Sequence, residues 1–192
     1  MSSSSVNYKN FFYPPGGILL WIIILVEIIT FGFALVALAY NNHLEPELFA
    51  TSRGMLNTHL ATFNTLLLLV SGYFMADAVH GFRANNLKKA KTGFSMAMVG
   101  GLLFVGIKSV EYYGKISMDI GLTTNTFFTY YWLLTGFHLV HVLIGLVILL
   151  VLRSDIKKKP EAIKLEDVEA GAAFWHLCDL IWLVLFPMLY LI

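Results

Sequence analysis

The sequence predicts an all-α integral membrane protein: a bundle of five transmembrane helices with the N-terminus in the cytoplasm and the C-terminus outside. Of its 192 residues, 58% are hydrophobic and 13% are charged, whereas a soluble domain is about half apolar and about a quarter charged. Five apolar runs are each long enough to cross a bilayer. They lack the alternation of a membrane barrel, and backbone in lipid must satisfy its own hydrogen bonds, so we expect helices.

The first span follows a polar segment. We predict that residues 1–17 form a cytoplasmic N-terminal segment and that residues 18–192 form one membrane domain. The first span is interpreted as a retained helix rather than a signal peptide, because it is long and ends without a small-residue cleavage site. The five predicted spans are 18–40, 55–80, 93–113, 126–152 and 172–192.

The later spans carry features of their own. The second is a Leu-rich run, and the fifth is an apolar run that contains His176 and Asp179. The third has Gly93, Ala97 and Gly101 at four-residue intervals, which allows a neighbouring helix to approach closely. Aromatic residues near the predicted outer ends of the third and fourth spans indicate an interfacial belt. They are Tyr112, Tyr113, Tyr130, Tyr131 and Trp132.

The basic residues predict the orientation. Ten Lys and Arg residues precede the first span or lie in the loops after the second and fourth spans, against three on the other side. Cytoplasmic loops carry the excess of positive charge, so the N-terminus is expected inside. The ten are Lys9, Arg83, Lys88, Lys89, Lys91, Arg153, Lys157, Lys158, Lys159 and Lys164, and the three are Arg53, Lys108 and Lys115.

Glu27 is the first ionisable side chain within a predicted span, where burial in the bilayer is energetically costly. It is about 14 Å into its helix at a rise of about 1.5 Å per residue, which places it near the midplane. A carboxylate there must face protein or water or remain protonated. Its own helix offers Thr30 as a polar neighbour, so a strong partner must come from another helix or from another chain. His141 lies at a similar depth on the fourth span, and we expect the two side chains to interact.

Other ionisable residues are spaced three apart, which puts each pair on one helix face. The two polar side chains of each pair can contact each other, which lowers the cost of burying them. A purely structural role is therefore an alternative to any functional interpretation of each pair. The pairs are Asp77 and His80, Lys108 and Glu111, His138 and His141, and His176 and Asp179. We therefore expect a buried polar set with proton-related and structural roles, consisting of Glu27, Glu111, His138, His141, His176 and Asp179.

The sequence argues against several kinds of site. His59 and His138 differ in predicted depth by more than about 10 Å, which disfavours haem held by two axial histidines. The single cysteine, Cys178, excludes an internal disulfide, and a net charge of +1 does not suggest nucleic-acid binding. No metal-binding or phosphate-binding motif is present. The residues alone leave two interpretations open: a subunit of a larger complex or a small transporter.

The fourth span contains the segment Gly136-Phe137-His138-Leu139-Val140-His141-Val142 with Gly145. This segment resembles the Gly-Phe-His-x-x-His-Val-x-x-Gly signature of subunit III of the haem–copper oxidases, and short motifs in the other four spans resemble the same subunit. The Trp175-His176-Leu177-Cys178-Asp179 segment with Trp182 is similar to its closing Trp-His-x-x-Asp-x-x-Trp helix, and Glu169 is similar to its acidic lead-in. Further matches surround the Glu27 helix, the Asn57-Thr58 and Asn64-Thr65 elements, and Glu111-Tyr112.

The resemblance implies the short, five-helix bacterial form of a cytochrome c oxidase accessory subunit, in a bacterial inner membrane. It implies no cofactor in this chain, because haem and copper belong to partner subunits I and II. It also implies packing on subunit I, support of proton uptake and complex stability, contact with membrane lipids, and room for a bound phospholipid. The alternatives are a subunit III-like protein of a nitric oxide reductase, a quinol oxidase subunit III and, more remotely, an independent transporter.

Overall fold

The computed structural model describes residues 17–158, 161 and 163–192. The predicted N-terminal segment therefore lies outside the described residues except for Gly17, as do Lys9 and Lys159 of the charge count. The described chain forms six helices: α1 (Ile18–Leu44), α2 (Pro46–Gly54), α3 (Thr58–Arg83), α4 (Leu87–Ile116), α5 (Thr126–Lys158) and α6 (Leu165–Tyr190).

All the long helices, α1 and α3 to α6, are apolar and long enough to cross a membrane. The predicted all-α fold with five candidate spans is confirmed. Short connections make successive long helices antiparallel. We call the end of the bundle at which α3 and α5 finish the Arg83 end. The opposite end, at which α1, α4 and α6 finish, is the Tyr190 end.

The short helix α2 was not predicted from the sequence. Pro46 at its first turn suits a helix start, because proline lacks the N–H that would be unpaired there. Phe49 is its buried anchor, and its ring meets Phe127 of α5 edge-on with centroids 5.4 Å apart. Burial also lowers the pKa of the Arg53 guanidinium.

Helix caps account for the shifted starts of α3 and α4. The side-chain oxygen of Asn57 accepts a hydrogen bond from the Leu60 amide at 3.0 Å, so α3 begins after Met55 and Leu56. Asn86 caps α4 in the same way through the Lys89 amide at 3.1 Å. Such caps satisfy amides that a helix start leaves unpaired. Hydropathy averages do not register them, so the helix starts differ from the starts of the predicted spans.

The small residues of α4 lie at close helix contacts. A Cβ on Gly93 would come within 2.8 Å of the Ala78 Cβ in α3, and one on Gly101 within 2.5 Å of the Trp175 ring in α6. Ala97 between them is fully buried. The packing role predicted for this face is confirmed.

Helix α1 lies at the edge of the bundle. It packs on α5 and α6 and touches α2, whereas α3, α4, α5 and α6 pack more extensively on one another. Its buried side chains are Leu20, Phe31 and Leu38, and most of its other apolar side chains are exposed. A helix so placed depends on a narrow seam for its attachment.

Candidate functional site: buried polar groups within the bundle

Glu27 and His141 meet across the seam between α1 and α5. The Oε1 atom of Glu27 lies 2.9 Å from Nε2 of His141, and the side chains of Glu27 and His141 are 13% and 10% exposed. Nδ1 of His141 lies 2.8 Å from the carbonyl oxygen of Phe137 on its own helix. The contact expected from their similar depths is confirmed.

The surroundings of this pair are apolar. The rings of Phe31, Phe137 and Phe174 lie around the His141 imidazole, with centroids 4.7 to 6.4 Å away. The Oε2 atom of Glu27 is buried and has no hydrogen-bond partner among the described residues. Thr30 donates instead to the Val26 carbonyl at 2.8 Å, so the neighbour expected on the same helix is engaged elsewhere.

A second polar group lies toward the Tyr190 end and is centred on Lys108 of α4. Its Nζ donates to Glu111 Oε2 at 3.1 Å and to the Tyr190 hydroxyl at 2.9 Å, and it lies 3.4 Å from the Tyr131 hydroxyl. Both tyrosine hydroxyls donate to Glu111 Oε1, from Tyr131 at 2.9 Å and from Tyr190 at 2.6 Å. The predicted Lys108–Glu111 pair is confirmed, and we call these four residues the Lys108 cluster.

The Lys108 cluster is closed off from its surroundings. The Lys108 side chain is 1% exposed and that of Glu111 is 4% exposed. The Lys108 ammonium also lies about 5 Å from four aromatic ring centroids, which favours a cation. Those rings belong to Tyr112, Tyr131, Trp182 and Tyr190. The cluster therefore binds α4, α5 and α6 together through an internally compensated pair of charges.

The tyrosines of this cluster correct part of the predicted aromatic belt. Tyr131 is fully buried and contacts the ion pair, and Tyr112 donates to Thr135 at 2.8 Å. Tyr113, by contrast, is 75% exposed, as a belt residue should be. The sequence does not predict the contact between Tyr190 and Lys108, because the two residues lie far apart in the chain. The enrichment of tyrosine near Lys108 in the sequence is the signal that could have indicated contacts between tyrosine side chains and this lysine.

His138 lies between the two polar groups but bonds to neither. It is fully buried, its ring stacks on Trp182 at 5.2 Å, and Phe104 meets it edge-on at 5.7 Å. Neither ring nitrogen has a hydrogen-bond partner among the described residues. The expected mutual contact with His141 is therefore wrong, because His141 turns to Glu27 while His138 turns into the core.

His176 and Asp179 form the predicted pair on α6, with Nδ1 and Oδ2 3.4 Å apart. Asp179 packs against Gly72 of α3, where an added Cβ would collide with the carboxylate. Its second oxygen is buried without a partner among the described residues. His176 also lines an open cavity of about 320 Å³ between α3 and α6.

The rim of this cavity carries the ion pair between Arg83 and Glu169 at 2.7 Å, and His80 lies on its wall. The predicted pair between Asp77 and His80 is wrong. Asp77 reaches across to Lys89 of α4 at 2.6 Å instead, because the tight α3–α4 turn brings a full positive charge beside it. Within the described ranges, no three His, Cys, Asp or Glu residues are grouped closely enough to hold a metal ion.

Comparison with known proteins gives a consistent family. The family model for "Cytochrome c oxidase subunit III" matches residues 16–192. The cytochrome c oxidase subunit 3 of Synechocystis sp. is 31% identical over 131 residues, 67% of this chain and 55% of that protein. The cytochrome c oxidase subunit 3 of Triticum aestivum is 34% identical over 133 residues, 66% of this chain and 47% of that protein.

A third relative matches over a longer range. The cytochrome bo(3) ubiquinol oxidase subunit 3 of Buchnera aphidicola is 27% identical over 175 residues, 90% of this chain and 84% of that protein. The chain spans about half the length of the Synechocystis and wheat relatives. The match to the family model covers every described helix. This multi-pass membrane protein therefore belongs to the cytochrome c oxidase subunit III family.

Proposed function

We propose that this chain is a non-redox accessory subunit III of a respiratory haem–copper oxidase in a bacterial inner membrane. It packs on oxidase subunit I, which with subunit II carries the haem and copper. The Arg83 end of the bundle faces the cytoplasm. The chain supports proton uptake and stability of the complex while the partner subunits reduce oxygen to water.

The Glu27–His141 pair is the observation that carries this proposal. A carboxylate and an imidazole in contact at mid-bundle can hold a proton, and ionisable groups inside membranes mark functional sites. Because the chain belongs to an oxidase family, the process that needs protons is the reaction of the partner subunits. The other predicted polar residues, Glu111, His138, His176 and Asp179, are assigned structural roles, although the His176 side chain is 41% exposed rather than buried as predicted.

The orientation and the partners have their own support. The ten-to-three division of basic residues favours a cytoplasmic Arg83 end. The outward faces of the long helices carry many exposed large apolar side chains, which suit contact with lipid or with another membrane subunit. The poorly buried α1 supplies a long surface of this kind.

Affinity purification through a tag on this chain in mild detergent tests the assembly. We expect haem absorption bands, copper and a large multi-helix subunit in the same sample. A colourless chain without partners would contradict the proposal and revive the transporter interpretation. Colour without a partner subunit would mean that this chain itself binds haem.

A quinol oxidase is the second candidate, since the ubiquinol oxidase relative matches most of the chain and of its own length. The purified complex decides between the donors when it is supplied with reduced cytochrome c or with a quinol. Supplying nitric oxide in place of oxygen to the same sample tests the nitric oxide reductase alternative. Reduction of nitric oxide without reduction of oxygen would replace the oxidase assignment.

The proton-related role is tested in the intact complex with Glu27→Gln. This nearly isosteric change removes the carboxyl proton, so we expect slower proton uptake and slower turnover. Thr30→Val, one turn along α1, is the matched control and should behave as wild type, because Thr30 bonds only its own helix. Equal proton uptake in both variants would remove Glu27 from the pathway without touching the subunit assignment.

A further inference from the structure

We propose that Glu27 and His141 form a single-proton binding site, and that the bound proton fastens α1 to α5. The inference deepens the proton-related role and rests on the proposed function for its physiological use. Its chemistry depends on contacts within this chain alone. The proton-site proposal can therefore be refuted while the subunit assignment stands, and the subunit assignment can be refuted while the proton site stands.

The imidazole tautomer of His141 is set by its own helix. Its Nδ1 lies 2.8 Å from the Phe137 carbonyl oxygen, which can only accept a hydrogen bond. Nδ1 must therefore carry a hydrogen. In a neutral imidazole the other nitrogen, Nε2, then presents a lone pair. That lone pair faces Glu27.

The gap between His141 Nε2 and Glu27 Oε1 is 2.9 Å. A contact of this length needs one hydrogen between the two atoms. Either protonated Glu27 donates to Nε2, or a protonated His141 donates to the Glu27 carboxylate. In both arrangements the pair has no net charge, which a membrane interior tolerates. Without that proton, a lone pair faces a carboxylate and the contact becomes repulsive.

The neighbouring titratable groups do not replace the proton once it leaves. On α5, His138 is within electrostatic range of His141 and of Lys108, but the Lys108 charge is already balanced by Glu111. On α6, Cys178 is within electrostatic range of Glu27. Asp179, its neighbour, turns to His176. The rings of Phe31, Phe137 and Phe174 around the imidazole carry no charge that could take over the role of the proton.

Among the described residues, the polar contacts that attach α1 to the bundle include links at two levels. Near the Tyr190 end, Asn41 donates to the Tyr130 hydroxyl at 2.9 Å and Asn42 lies 3.5 Å from the Ile192 carbonyl oxygen. The Glu27–His141 contact is a polar link near the level of the midplane. Loss of the proton should therefore open the seam at Glu27 while the Tyr190 end stays in place.

An open groove lies beside the pair. A groove of about 280 Å³ runs along the α1–α5 seam, one turn toward the Tyr190 end. It includes Phe137, whose carbonyl holds the imidazole, and the side chains of Glu27 and His141 remain slightly exposed. The pair is buried but not sealed.

The direction of the pH effect follows from the proton count. The closed seam holds one proton that the separated groups give up, so raising the pH favours opening. Lowering the pH places a second proton on the pair, and a protonated imidazole still donates to the neutral carboxyl oxygen. The seam should therefore stay closed in acid and open in alkali.

Spin-label distances on the full chain in detergent test the proposal, in a Cys178→Ala background. One pair of labels replaces exposed Leu25 and Ile144, close to the level of the site, and the other replaces exposed Tyr40 and Leu133 near the Tyr190 end. A water entering the gap widens the Glu27–His141 contact by about 2 Å. When the pH is raised from acid to alkaline, we expect the first distance to grow by that amount and the second to stay constant.

Glu27→Gln locks the site, because its amide can donate to Nε2 at any pH and has no proton to lose. The first distance in this variant should remain at its acid value throughout, which also shows that alkali does not unfold the chain. Thr30→Val should open like wild type. A constant distance in wild type, or the same opening in Glu27→Gln, would overturn the proposal.

Discussion

Removal of the Glu111 carboxylate should strongly destabilise the bundle. In the Glu111→Ala variant, the Lys108 ammonium stays buried but loses its counter-ion, and Tyr131 and Tyr190 lose their acceptor. Breaking a buried ion pair from one side costs about 3–5 kcal/mol. Cation–π attraction from the surrounding aromatic rings offsets about 1–2 kcal/mol of this cost, but only if the Lys108 ammonium remains in place. We therefore expect a loss of about 3 kcal/mol in the free energy of unfolding.

The paired variant Lys108→Met with Glu111→Gln separates charge from shape. It leaves no buried charge, and the carboxamide oxygen of the introduced glutamine can still accept from a tyrosine, so its cost should stay below about 1.5 kcal/mol. Ser109→Ala is the matched control, because Ser109 is exposed and bonds to its own helix. Its stability should equal that of wild type.

Unfolding in mixed micelles with increasing dodecyl sulfate measures these differences. The single cysteine, Cys178, is 1% exposed and becomes reactive to a thiol-directed fluorophore when the bundle opens. A Glu111→Ala cost below about 1 kcal/mol, or a paired variant as unstable as Glu111→Ala, would show that Lys108 is not held as a buried charge.

Three further substitutions probe packing, capping and the surface. Gly101→Ala should lower the unfolding midpoint, because its Cβ would press on the Trp175 ring, whereas Gly106→Ala, in open space, should not lower it. Asn57→Ala should cost about 1 kcal/mol of unfolding free energy by removing the α3 cap. Arg83→Gln should cost less than about 1 kcal/mol, because its bridge to Glu169 is 59% exposed on the arginine side, and added salt should mask the difference.

Contacts that depend on depth along a helix could be predicted from the sequence. The apolar limits of α1 and α5 are visible in the sequence, and a constant rise per residue then put Glu27 and His141 at the same level. The i,i+3 rule likewise gave the Lys108–Glu111 pair, since both residues lie on one helix. The small residues on α4 predicted close packing in the same way, because their four-residue spacing places them on one face of a single helix.

Contacts that depend on the direction of a side chain around its helix could not be predicted in this way. Tyr131 and Tyr113 are equally aromatic and lie near the same end of the bundle, but one faces the core and the other the surroundings. That difference is set by how α4, α5 and α6 pack, which composition does not record. His138 and His141 share a helix face, yet small differences in angle send one to Trp182 and the other to Glu27.

The distribution of the Lys108 cluster over three successive helices has a consequence for membrane insertion. Lys108 and Glu111 lie on the same helix, α4, and can be inserted into the bilayer as an ion pair without net charge. Tyr131, which donates to Glu111, is inserted with the next helix, α5. Tyr190 arrives on α6, which is synthesised after α4 and α5. Until it is inserted, the Lys108 ammonium lacks one of its acceptors. A nascent chain whose α6 has not yet docked therefore holds an incompletely satisfied charge within its apolar helices.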